Sequence, residues 1–146
     1  FYGAKEFDKL LSVVNYGINR AVLITTISVI FFFVLASNIL PIFSSNPLVI
    51  DIGVTYLKII ILVYPAVGIS VICSRVCQAL GQGMPLLITT ITRVIILTAP
   101  LSYYFYFTGR PIEWVWFSQV FAILIAATIS FAWMRYYFRK FNIVRN

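Results

Sequence analysis

The groups able to do chemistry in this chain are few, and most of them are cations. Lys58, Arg75 and Arg93 fall inside or at the edge of long apolar runs, where an ionisable side chain costs roughly 2.5–3.5 kcal/mol at the centre of a membrane helix. That expense makes them the first candidates for a transport pathway or gate. Arg75 and Arg93 flank a polar turn and could face one another across it; two guanidinium groups repel, so such a gate needs an acid or anionic lipid between them. The competing reading is snorkelling to the nearest interface, since the two lie about 9 and 12 Å from the turn. Lys58 follows Asp51 by seven residues, which places both on one helix face with an ion pair as the plain reading. Tyr64 and Pro65 mark a bending point that could face a central cavity. Gln78 and Gln119 could hydrogen-bond between helices or to a substrate, with helix–helix contact the plainer role.

Other chemistry lacks its parts. The chain has no histidine and only four acids, so near-neutral acid–base work and metal binding lose their usual groups. Cys73 and Cys77 are four apart on one predicted helix face; thiol oxidoreductases favour Cys-x-x-Cys, and two buried, inert thiols are the simpler reading. An enzyme is not expected, and no cofactor is called for.

The elements that hold these groups are membrane helices. Hydrophobic residues make up 62% and charged residues 10% of the 146 positions, against roughly 25% charged in a soluble domain. The net charge of +7 does not point to nucleic acid, because the cations are dispersed between apolar runs and line no single face. Four runs are long enough to cross a bilayer, at about 18–40, 51–78, 86–108 and 114–134. Residues 1–17 read as an amphipathic lead-in at the interface, with Phe7, Leu10, Leu11 and Val14 at helical spacing. Pro41 is expected to end the first crossing, Asn46-Pro47 to open the next, and Pro65 to kink it. Residues 135–146 read as a basic tail.

The middle two crossings are joined by Gln78-Ala79-Leu80-Gly81-Gln82-Gly83-Met84-Pro85. Gly81 and Gly83 are expected to permit the turn and Pro85 to suit the first turn of the next helix. With four crossings, both termini and this loop share one side. That side holds Lys5, Lys9, Arg20, Arg75, Arg93, Arg135, Arg139, Lys140 and Arg145, and the other only Lys58 and Arg110. Nine against two makes it the cytoplasmic side of a multi-pass cell-membrane protein. The chain starts Phe1-Tyr2-Gly3 with neither a start methionine nor signal-peptide features, so an N-terminal extension is expected.

Four patterns, in order, resemble the multidrug and toxic compound extrusion (MATE) family. They are Tyr2-Gly3-Ala4-Lys5-Glu6-Phe7-Asp8-Lys9, then Leu40-Pro41-Ile42-Phe43 with Asn46-Pro47 and Tyr56-Leu57, then the Gln78–Pro85 loop, and last the fourth crossing with its basic aromatic end. The resemblance implies an all-α integral membrane fold, with these four transmembrane helices forming helices nine to twelve of a twelve-helix, two-lobed transporter. It implies export of small amphipathic or cationic substrates in exchange for protons or sodium. The implied partners are the N-terminal lobe, the first two helices of the C-terminal lobe and the lipid bilayer. One departure matters: some members carry an acid in the middle of the helix matching 51–78, and 59–74 here has none. This suits members whose key acids lie in the N-terminal lobe, and no coupling residue is carried over. Lipid-linked oligosaccharide flippases of similar architecture and a non-transporting four-helix membrane subunit are the alternatives. A small multidrug transporter would need a carboxylate in its first helix, and 21–40 has none.

Overall fold

A computed structural model describes residues 7–141, and among them every regular element is helical. Parts of the lead-in and tail, including Lys5 and Arg145, lie outside the described residues. Helix α1 runs Phe7–Phe43, α2 Pro47–Ile61 and α3 Tyr64–Ala79. Helix α4, Met84–Ile91, continues through a π-helical segment, Thr92–Thr98, into α5, Ala99–Phe107. Helix α6 spans Ile112–Lys140. Three spans are long and apolar enough to cross a membrane outright, and the bent pair α2 and α3 makes up to a fourth if the two together form one broken span.

Both ends of this set differ from the boundaries expected. From Phe7 the lead-in runs without a break into the first crossing as one 37-residue helix, α1. Its first turns turn Leu10, Leu11, Val14 and Ile18 onto Cys73, Cys77, Leu80, Met134 and Phe138. A periodic apolar face buries equally well against lipid or helix, and here helices cover it. Pro41 does not stop α1 at Leu40; the helix continues to Phe43 and the Ser44 N–H closes on the Leu40 carbonyl at 3.3 Å. So near the end, a proline forfeits one hydrogen bond and little else. At the other terminus α6 runs past Met134 to Lys140, so 135–140 is helix and not tail. Phe138 holds it there, 2% exposed within the same cluster.

Helix α2 begins earlier than Asp51. Asn46 caps it, its Oδ1 accepting the Leu48 N–H at 3.0 Å, and Pro47 takes the first helical position, where a missing N–H costs nothing. The kink expected at Pro65 is a full break at Leu62 and Val63, bent by 49°. It falls a turn ahead of the proline, because Pro65 has no N–H for the Ile61 carbonyl and its ring crowds that oxygen.

Helix α3 is the central element, packed on α1 to one side and α6 to the other. Along α6 the residues at every fourth position, Ser118, Ala122, Ala126, Ser130, Met134 and Phe138, are all buried. Four of them in succession are small, which lets helix backbones approach where lipid gives no hydrophobic drive. Gly68 does the same toward α1, where a Cβ would stand 3.4 Å from Thr25 Cγ2. The cysteines sit at 0% and 1% exposure with free thiols. Leu10, Leu80 and Phe138 share one cluster, so the start of α1, the end of α3 and the end of α6 lie at one end of the bundle.

Candidate functional site

A polar cleft opens where α3, α4 with its π segment, and α6 meet. It holds about 100 Å³ and is lined by Ser70, Val71, Ser74, Leu86, Thr89, Thr90, Arg93 and Ala126. Ser70 and Ser74 stand one turn apart on α3. Behind them Ser130 of α6 is 1% exposed, its Oγ 3.1 Å from Ser70 Oγ and accepting from Ser74 Oγ at 3.5 Å. The threonines close on their own helix: Thr89 donates to the Pro85 carbonyl at 2.6 Å and Thr90 to the Leu86 carbonyl at 2.8 Å.

Arg93 reaches the cleft from the π segment. There the Thr98 hydroxyl donates to the Arg93 carbonyl at 2.8 Å, and the Ala99 N–H to the Val94 carbonyl, five residues back. Pro100 follows directly, and its missing N–H and bulky ring loosen the preceding turn enough for the wider winding. Such π-bulges recur at functional sites. Among the described residues the Arg93 side chain has no hydrogen-bond or ion-pair partner, and no acid lines the cleft.

The other charged candidates lie elsewhere. Arg75 is exposed and donates to Gln78 Oε1 at 3.0 Å within its own helix; it does not line the cleft that Arg93 enters. Gln78 is thereby engaged with its own helix. Among the described residues the side-chain hydrogen bonds that join helices come instead from serines, Ser70 and Ser74 with Ser130 at 3.1 and 3.5 Å and Ser102 with Ser118 at 3.1 Å. Lys58 forms no ion pair with Asp51. Its ammonium lies 5.6 Å from the Phe33 ring centroid, since seven residues of helix separate the two charges by about 10 Å. Tyr64 and Pro65 stand at the bend, with Tyr64 45% exposed.

The polar turn is built on one glycine. Gly81 has φ +79°; its N–H meets the Gln78 carbonyl and the Gln82 N–H the Cys77 carbonyl, both at 2.9 Å. That is the Schellman close, which needs a left-handed residue after the helix. Gly83 has φ −81°, an ordinary conformation, so the turn does not require it to be glycine. Pro85 occupies the first turn of α4 as expected and is fully buried. Gly81→Ala should therefore lower thermal stability in detergent by roughly 1–2 kcal/mol, while Gly83→Ala leaves it unchanged.

Ser74, Ser130, Thr89 and Thr90 were not singled out by the sequence. Ser70 and Ser74 at helical spacing in an apolar run were a readable signal; their meeting with Ser130 was not.

The bent span, the glycine-closed hairpin and the cleft occur on a chain whose residues 1–104 match the MatE family model. The chain belongs to the MATE family. That is a family of transporters, and this is accordingly a multi-pass membrane protein of a transporter class, not of an enzyme class. No curated protein matches the chain. Among solved structures it is similar to the outward-facing conformation of a multidrug resistance MATE family transporter of the MOP superfamily, with 23% identity and a TM-score of 0.87. The likeness covers 98% of this chain and 32% of that transporter, so the MATE chain here spans about a third of its relative's length.

Proposed function

We propose that this chain is the C-terminal part of a secondary active exporter that moves amphipathic or cationic compounds against protons or sodium. The observation that carries the reading is the MATE fold itself, reproduced over nearly the whole chain at a TM-score of 0.87. The broken α2–α3 span supports it, because alternating access uses bundles with discontinuous helices that rock against a partner bundle. The partners are an N-terminal lobe and two further helices of the C-terminal lobe. They would cover the outward apolar faces of α1, where Ile24, Ile27, Ile30 and Val34 are each at least 59% exposed. The cation bias supports a cytoplasmic side for the ends of the chain and the Gly81 turn, in a cell membrane. With no acid in 59–74, the coupling ion is held outside this stretch.

The test is transport by the natural full-length protein in liposomes. A cationic dye should move when a proton or sodium gradient is imposed and stop when both are collapsed. This chain alone should insert without moving dye. Dye movement indifferent to both gradients would overturn coupled export, and movement by this chain alone would overturn the need for a second lobe.

A further inference from the structure

We infer that the Arg93 cleft is an anion site, built to hold one phosphate-type oxyanion inside the membrane. Ser130 is buried and accepts a hydrogen bond from Ser74, and it shares a second one with Ser70 in which either hydroxyl can donate. With Ser130 as the donor of that pair, Ser70 keeps its own proton for the cleft it lines. A hydroxyl has one donor to give, and a relay of hydroxyls polarises the last member toward an acceptor. Thr89 and Thr90 spend their protons on backbone carbonyls, so they add no competing donor. The cleft thus presents the Ser70 hydroxyl and the unclaimed fork of Arg93 as donors, with no acid to neutralise them. A guanidinium matches the paired oxygens of a phosphate or carboxylate.

Size and depth narrow the ligand. About 100 Å³ is well below the roughly 300–1,000 Å³ of a drug-sized pocket, yet it suffices for a single tetrahedral oxyanion. Arg93 lies nine residues into the Met84–Phe107 span, about 14 Å of helical rise, within reach of a lipid phosphate drawn inward or of a free phosphate from the aqueous side. An anion there would offset a cation that is otherwise costly at this depth. The site does not depend on the exported compound, so its failure would leave the exporter reading standing.

The test takes the natural full-length protein stripped of lipid in neutral detergent and follows thermal unfolding. Two probes are added separately, inorganic phosphate and dioleoyl phosphatidylglycerol. At a probe concentration roughly a hundredfold above its dissociation constant, the wild type should gain about 3 °C. Arg93→Gln should abolish the gain. Arg93→Lys and Ser70→Ala should each weaken the probe roughly tenfold, as expected for losing part of a charge-assisted set. Arg20→Gln, an exposed arginine on α1, should keep the full gain. A gain with both probes assigns the site to free phosphate; a gain with the lipid alone assigns it to a headgroup. No gain with either probe, or a gain that survives in Arg93→Gln, overturns the site. Should Arg93→Gln not fold, an undiminished gain in both Arg93→Lys and Ser70→Ala overturns it equally.

Discussion

Ser130→Leu is expected to lower the unfolding temperature by about 8 °C, whereas Ser130→Ala lowers it by no more than about 2 °C. Ser130 is 1% exposed between α3 and α6 and has the Ser70 and Ser74 hydroxyls against its own. A leucine there must push aside Ser70 and Ser74, whose hydroxyls lie 3.1 and 3.5 Å from the Ser130 oxygen. Either α6 shifts off α3 or the new side chain takes a poor rotamer, at about 1–3 kcal/mol. Losing each of the two interhelical hydrogen bonds adds only about 0.6 kcal/mol on the membrane scale. The alanine variant removes those bonds and keeps the close approach, so the pair separates packing from polarity. Fluorescence-detected size exclusion after heating in detergent reads both. An equal fall in the two variants would mean that the hydroxyl, not the small volume, holds α3 to α6.

The second large effect concerns the broken span. Pro65→Ala restores an N–H for the Ile61 carbonyl and removes the ring that crowds it. An interior proline costs a helix about 3 kcal/mol, so the substitution favours a straight span by up to that amount, roughly a hundredfold in equilibrium. Spin labels at Ile50 and Gln78 straddle the break. Straightening the 49° bend should lengthen their separation by about 4 Å, from the rise of the two arms. Dye transport by the full-length protein should fall at least tenfold with its amount in the membrane unchanged, because a straightened helix holds one conformation of a cycle that needs two. An unchanged distance would show that α1 and α6 impose the bend without the proline. A straightened span with undiminished transport would remove the bend from the mechanism.

Much of the architecture was readable because a bilayer leaves the backbone little choice. The Asn46-Pro47 start, the Gly81 turn and Pro85 in the first turn of α4 are local devices whose effect stays within a few residues, and they sit where the residue types put them. Pro65 was readable as a kink, though the break lands on Leu62 and Val63, since the lost bond belongs to a carbonyl four residues earlier. Gly83 misled because glycine permits a left-handed turn without requiring one. Phe138 and Leu10 were misread for a different reason: an amphipathic or aromatic segment at a membrane edge looks the same whether lipid or another helix covers it.

The sequence by itself determined the class, an all-helical membrane protein, because about twenty uncharged residues must close their own hydrogen bonds in lipid and can do so only as helix. Tertiary structure decided which polar groups meet. Ser70 and Ser130 are 60 positions apart, and Arg93 joins their cleft from a third helix through a π-bulge. In a chain whose lipid-facing and protein-facing surfaces are both apolar, periodicity does not mark the inner face. The fit of small residues against neighbouring backbones does, and that exists only once the helices have packed.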